Sequence, residues 1–139
     1  MKHKIFVDTC AWLAHFLKND INHKIAKNFL KQEIKKNSLI CTSNYVIDEA
    51  VTRLRYDSGW SNTSKFIEFI KNSIKSNCLI EFFVDEQIEL DSFNLLKKYT
   101  DKKLSLTDAS IIAICKKYKI HTIFTFDSDF QKLGISISP

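Results

Sequence analysis

The run TIFTF, Thr122 to Phe126, is apolar and β-branched, and two carboxylates, Asp127 and Asp129, follow it at once with Ser128 between them. Three further acids occupy comparable places. Asp8 closes the apolar run KIFVD, Asp108 stands in LSLTDAS at a predicted helix start, and Glu49 lies one to two turns into a predicted helix in NYVIDEAV. Carboxylates that converge without matching cations repel one another, and a divalent cation is the natural way to hold them together. Ligation by oxygen alone selects hard Mg²⁺ or Mn²⁺ over zinc, which takes His or Cys. His3, His15, His23 and His121 show no ligand spacing and read as surface or packing residues.

Each acid also has a purely structural reading. Asp8 and Asp127 suit turns that follow strands, Asp108 suits the positive end of a helix with Thr107 as its cap, and Glu49 suits a solvated helix face. Asp85, which follows the apolar run LIEFFV, shows why position alone is insufficient: DEQIEL after it makes Asp85 the cap of the next helix. What separates the readings is whether the acids meet in space.

The elements that must position them alternate along the chain. Short runs rich in β-branched and aromatic residues, Lys4 to Asp8, Leu39 to Thr42, Leu79 to Val84 and Thr122 to Phe126, predict buried strands. Between them, apolar residues recur at helical spacing: Ile25, Phe29, Leu30 and Ile34; Val46, Ala50, Val51 and Leu54; Phe66, Ile67, Ile70 and Ile74; Ile112 and Ala113 on a helix after Thr107. Near-continuous apolar strands joined by helices predict an α/β fold, a parallel sheet covered on both faces. A last strand, Ile135 to Ile137 after Gly134, closes the sheet. In such folds ligands bind beyond the carboxyl ends of the strands, which is where Asp8 and Asp127 fall.

Composition narrows the function further. A chain of 139 residues with 45% hydrophobic and 12% aromatic residues predicts one globular domain spanning 1–139. Two glycines and one proline leave no linker or repeat. The 21 Lys and Arg against 16 Asp and Glu give a formal charge of +5, which suits a polyanion. No apolar run approaches the roughly 18 residues of a membrane span, and Asp8 interrupts the N-terminal run, so a cytoplasmic protein is expected. Cys10, Cys41, Cys78 and Cys115 are widely spaced, without CxxC, and read as small hydrophobes, not as a zinc site or disulfides. The absence of a P-loop, GxSxG or GxGxxG excludes NTPase, α/β-hydrolase and dinucleotide functions. FDSDF resembles the DxD of haloacid-dehalogenase-type phosphatases, but those enzymes need most of their domain after that motif. A receiver domain would need paired acids after the first strand, which DTCAW lacks.

DTCAW (Asp8 to Trp12), TSNYVIDEAVTRL (Thr42 to Leu54), LSLTDASIIAI (Leu104 to Ile114) and TFDSDFQKLGI (Thr125 to Ile135) together resemble the signature segments of PIN-domain ribonucleases, particularly VapC-type toxins of toxin-antitoxin pairs. The resemblance spans essentially the whole chain. It implies a PIN-like three-layer fold, with a central, mostly parallel five-stranded sheet in which the first and fourth strands are neighbours and the third lies at an edge. It implies that Asp8, Glu49, Asp108 and Asp127 form an acidic metal site, with Asp129 an accessory ligand or support, and that Ser43 and Thr125 are polar positions beside it. Asp48 adjoins Glu49 but points elsewhere on the helix, and Cys10 stands where the family more often has serine. A small antitoxin partner and a toxin homodimer are further implications.

The expected activity is metal-dependent endoribonuclease chemistry, with Mg²⁺ or Mn²⁺ activating water against a backbone phosphate. The alternatives are a related metal nuclease acting on DNA and a catalytically idle module binding RNA or a partner on the same fold. Lys97, Lys98, Lys102 and Lys103 lead towards Asp108 and suit RNA guidance, or simply a solvated helix end.

Overall fold

In the computed structural model, which describes residues 2–139, the apolar runs become β1 (Lys4–Val7), β2 (Leu39–Ser43), β3 (Ile80–Phe82), β4 (Thr122–Phe124) and β5 (Ser136–Ser138). The intervening periodic segments become α1 (Thr9–Phe16), α2 (His23–Lys35), α3 (Asn44–Ser58), α4 (Trp60–Lys75), α5 (Glu86–Lys98) and α6 (Leu106–Tyr118), with a 3-10 helix at Ser128–Leu133. The sheet order is β3-β2-β1-β4-β5 and every pairing is parallel, more uniform than the mostly parallel sheet expected. The implied neighbours, β1 beside β4 and β3 at an edge, are present.

This order fixes the layers. Connections from β1 to β2 and from β2 to β3 step one way across the sheet, while the connection from β3 to β4 returns across it. Since parallel crossovers are right-handed, α1 to α4 cover one face and α5 with α6 the other. The strands are buried from both sides, which explains their lack of alternation: Ile5, Phe6, Val7, Ile123 and Phe124 are all in the core. On the first face Trp12 of α1 meets Phe66 and Phe69 of α4 edge-on, with centroids 6.0 and 5.9 Å away, and its indole N–H donates to Thr42 at 3.1 Å. On the second, Tyr118 of α6 stacks on Phe82 at 4.2 Å.

Local signals set the helix ends. Asp85 caps α5 by accepting the N–H of Ile88 at 2.9 Å, the structural role its sequence context predicts. The start of α6 differs from expectation: Ser105, not Thr107, is the cap, and the helix begins one residue before Thr107. Ser105 and Asp108 form a reciprocal capping box, which satisfies two backbone donors where Thr107 would have satisfied one. The last strand starts at Ser136 because Gly134, in the left-handed region at φ 77°, ends the 3-10 helix first. All cysteines are free; Cys41 and Cys115 are buried, Cys10 is half-buried and Cys78 is exposed, unlike the buried role expected of the set. His15 does pack, against Phe16 and Phe69.

Candidate active site

The chain leaves β1 towards β2 on one side and leaves β4 towards β5 on the other, so the carboxyl ends of these two neighbours form the point where the winding reverses. Asp8 follows β1 there. Its N–H donates to the carbonyl of Phe124 at 3.0 Å, continuing the sheet for one more bond, and its side chain then caps α1, with Oδ1 accepting the N–H of Thr9 at 2.7 Å. Its other oxygen, Oδ2, accepts the hydroxyl of Thr125 at 2.9 Å.

Thr125 binds both sides of this crevice. Its Oγ1 accepts the N–H of Asp127 at 3.0 Å while its proton goes to Asp8. Cys10 Sγ lies 3.2 Å from the same oxygen and 3.7 Å from Asp8 Oδ2. Because the hydroxyl directs its one proton to Asp8, the single thiol proton is left to serve Thr125 Oγ1 and Asp8 Oδ2. The N–H of Phe126 in turn reaches Cys10 Sγ at 3.4 Å. Cys10 thus links Asp8, Thr125 and the backbone of Phe126 through its sulfur.

Asp127 caps the 3-10 helix, its Oδ1 accepting the N–H of Asp129 at 2.9 Å. The carboxylate of Asp129 turns outward to Lys132, 3.3 Å away. Asp129 therefore supports Asp127 through its backbone, not through its side chain. Asp108 sits in the first turn of α6 as a member of the capping box, and Glu49 sits half-buried on α3 beside the exposed Asp48. Ser43 is buried as the cap of α3, accepting the N–H of Val46 at 3.2 Å, and so sets the helix that carries Glu49.

Electrostatics link these acids. Asp8 is only 6% exposed, and burial pushes its carboxyl up from 3.8 to about 6, against the opposing bonds from Thr9 and Thr125; the negative charges of Asp108 and Glu49 add to the rise. Asp108 is likewise raised, first by burial and then by Asp127 and Glu49, although its bonds to Ser105 pull the other way. The ion pairs among the described residues use Glu33, Glu68, Asp101 and Asp129, and none uses Asp8, Glu49, Asp108 or Asp127.

A hard divalent cation fits this donor set, which is all oxygen and carries negative charge. Among the described residues, no three His, Cys, Asp or Glu side chains are gathered tightly enough to grip an ion as they stand. Asp108 and Glu49 are close enough to raise the proton affinity of Asp8, and Asp127 and Glu49 that of Asp108, while capping bonds hold Asp8, Asp108 and Asp127 to the backbone.

Of the lysines expected to guide RNA, Lys97 and Lys98 form the last turn of α5, and Lys98 lies over the Tyr99 ring at 5.3 Å. Lys102 and Lys103 line a cleft of about 280 Å³ with Asp101, Asp129 and Lys132. Two contributors escaped the reading of the sequence. Ser105 anchors Asp108, and the Ser-x-x-Asp spacing carried that signal. The contact of Cys10 with Thr125 spans 115 positions of sequence and left no local signal.

The profile of the PIN domain matches residues 5–135. The chain is 27% identical over 131 residues to the 23S rRNA-specific endonuclease VapC20 of Mycobacterium tuberculosis, covering 94% of each. It is 26% identical over 144 residues to Ribonuclease VapC6 of Methanocaldococcus jannaschii, covering 93% of this chain and 92% of that one. The crystal structure of the Mycobacterium tuberculosis VapC20, described as a Sarcin-Ricin loop cleaving toxin, superposes with a TM-score of 0.82 at 26% identity over 94% of this chain and 95% of that one. FitAcB from Neisseria gonorrhoeae shares the fold at a TM-score of 0.67 and 17% identity, over 97% and 96% of the two chains.

Proposed function

Because the chain belongs to the PIN domain family, we propose that it is a VapC-type endoribonuclease, the toxin of a toxin-antitoxin pair, whose active site is the crevice between the ends of β1 and β4. The observation that carries this reading is that Asp108 and Glu49 act on the charge of Asp8, and Asp127 and Glu49 on that of Asp108, near the switch point, while none of the four enters an ion pair among the described residues.

Asp8, Glu49, Asp108 and Asp127 would hold Mg²⁺ or Mn²⁺, which when bound lowers the pKa of water and offsets charge on a scissile phosphate. The chain's own part is positional. Thr125 fixes one oxygen of Asp8 and the backbone of Asp127 at once, so two acids from neighbouring strands keep a constant separation. The capping box fixes Asp108 in the same way, and Ser43 starts α3 so that Glu49 faces the acids. Asp129 acts as a support for Asp127. No protein nucleophile is needed, so hydrolysis leaves a 5′-phosphate and a 3′-hydroxyl.

RNA is favoured as substrate by the +5 charge and by the ribonuclease relatives. Lys97, Lys98, Lys102 and Lys103 supply positive charge on the approach to Asp108. A small antitoxin and a toxin homodimer complete the proposal, in a cytoplasmic protein made of one domain; among the described residues no helix is long and apolar enough to cross a membrane.

The test is cleavage of total bacterial RNA by the purified protein with Mn²⁺ or Mg²⁺, beside EDTA and Asp8→Asn controls, with new 5′ ends mapped by sequencing. Discrete cuts lost in both controls establish the reading. Metal binding without cuts, in RNA from the native host as well, would leave the fold as an idle binding module.

A further inference from the structure

The chain has only two arginines, Arg53 and Arg55, and both lie on α3, the helix that carries Glu49. Residues spaced by three or four share a helix face, so Glu49, Arg53 and Tyr56 form one stripe. Tyr56 lies about 10 Å along the axis from Glu49, at 1.5 Å per residue. It is 83% exposed, although its ring could have been buried at a gain. Two residues past the end of α3, just after Gly59 at a positive φ of 84°, Trp60 opens α4 at 59% exposure. Its ring is not loose: the guanidinium of Arg55 lies over it, 5.1 Å from the centroid.

Two open aromatic rings beside the only two guanidinium groups is the surface chemistry that single-stranded RNA uses, since unpaired bases stack on aromatic faces and on arginine planes. We propose that Tyr56 and Trp60, with Arg53 and Arg55, form a base-stacking platform that holds the single-stranded RNA leading to the acidic crevice. This inference rests on the ribonuclease reading and deepens it. Arg53 lies on the Glu49 stripe, while Arg55, on an adjoining face of α3, braces the indole from one side and leaves the other side to a base. Asp48 and Asp57 are exposed on the same helix and temper its positive charge, so the rings, more than net charge, supply the affinity. The platform therefore contributes a salt-tolerant share of binding, unlike the lysines.

Trp12, the other tryptophan, is buried, so emission that changes on binding reports Trp60. The experiment titrates a labelled single-stranded oligoadenylate RNA into the whole protein in EDTA, where no cutting is expected. Stacking predicts quenched tryptophan emission in the wild type and binding about tenfold weaker for each of Tyr56→Ala and Trp60→Ala. It also predicts an unchanged slope of log affinity against log salt, and wild-type binding in Tyr56→Phe. Thermal melts check that these surface changes leave the fold intact. Wild-type affinity in both alanine variants overturns the proposal, as does a change of sedimenting mass with unchanged affinity, which would make the rings a contact between copies of the chain. If the wild type cuts RNA while the variants bind normally, only the platform fails. If the wild type neither binds nor cuts RNA, the ribonuclease reading fails and takes the platform with it.

Discussion

The hydroxyl of Thr125 donates to Asp8 at 2.9 Å, tying the residue that follows β1 to the residue that follows β4. The same oxygen takes the N–H of Asp127, so a single buried side chain sets the distance between two acids that arise 119 positions apart in sequence (127 − 8).

Replacing Thr125 should therefore disturb both acids. Thr125→Val keeps the shape but removes the hydroxyl, leaving the Asp127 N–H without its partner at a cost of about 1–3 kcal/mol. We expect a lower melting temperature and at least a tenfold loss in kcat, with Thr125→Ser restoring most of both. Full activity in the valine variant would show that the tie is dispensable.

Asp8 should oppose stability in the metal-free protein while being essential for turnover. Its carboxyl is raised from 3.8 to about 6, a penalty of about 3 kcal/mol on the ionised form at neutral pH. Asp8→Asn should thus melt higher than the wild type in EDTA at pH 7 yet cut no RNA. A variant that melts lower would mean that the capping bond to Thr9 outweighs the burial of charge.

Between about pH 4 and 6 two groups with large shifts, Asp8 and His15, act with opposite sign, and the raised carboxyl of Asp108 adds to the side of Asp8. With its folded value raised, Asp8 binds its proton more readily in the folded state, so folding gains stability as pH falls from about 6 towards 3.8. His15 is lowered from 6.5 to about 4, chiefly by burial with help from His23 and Lys27, so it costs stability as pH falls through the same range. The wild-type curve in EDTA should be nearly flat between about pH 4 and 6 as far as these two groups govern it. His15→Leu should uncover a rise on acidification, and Asp8→Asn a fall. Parallel curves for all three proteins would show that neither group titrates as the structure implies.

Asp127 and Asp129 should be unequal despite their shared motif. The carboxylate of Asp129 pairs with Lys132, and only its backbone serves Asp127. Asp129→Asn should keep activity within a few-fold, while Asp127→Asn should lose at least a hundredfold, by analogy with removing a group aimed at transition-state charge. Comparable losses in single-turnover assays would place the Asp129 carboxylate in the chemistry after all.

Neutralising Lys97, Lys98, Lys102 and Lys103 together should flatten the salt dependence of RNA binding, by close to one unit of slope for each phosphate that no longer meets a lysine. An unchanged slope would assign these lysines to the solvated end of α5 and the loop beyond it.

The sequence by itself determined the architecture and which acids are candidates for the site. Strand runs without alternation required cover on both faces, and helical spacing supplied it, so the parallel sheet was legible from local pattern. Asp8, Glu49, Asp108 and Asp127 could be named as candidates from motif and position, and the fold brings Asp108 and Glu49 within electrostatic reach of Asp8, and Asp127 and Glu49 within reach of Asp108. Local pattern could also mislead: Thr107 looked like the cap of α6, but the reciprocal fit of Ser105 with Asp108 satisfied more of the backbone. What only the tertiary structure decided was what each acid faces. Asp127 and Asp129 are equivalent in a linear motif, and the turn of the 3-10 helix sends one to the crevice and the other to Lys132. The raised proton affinity of Asp8 also depends on residues distant in sequence, because burial and the charges of Glu49 and Asp108 exist only once β1, α3 and α6 are packed together.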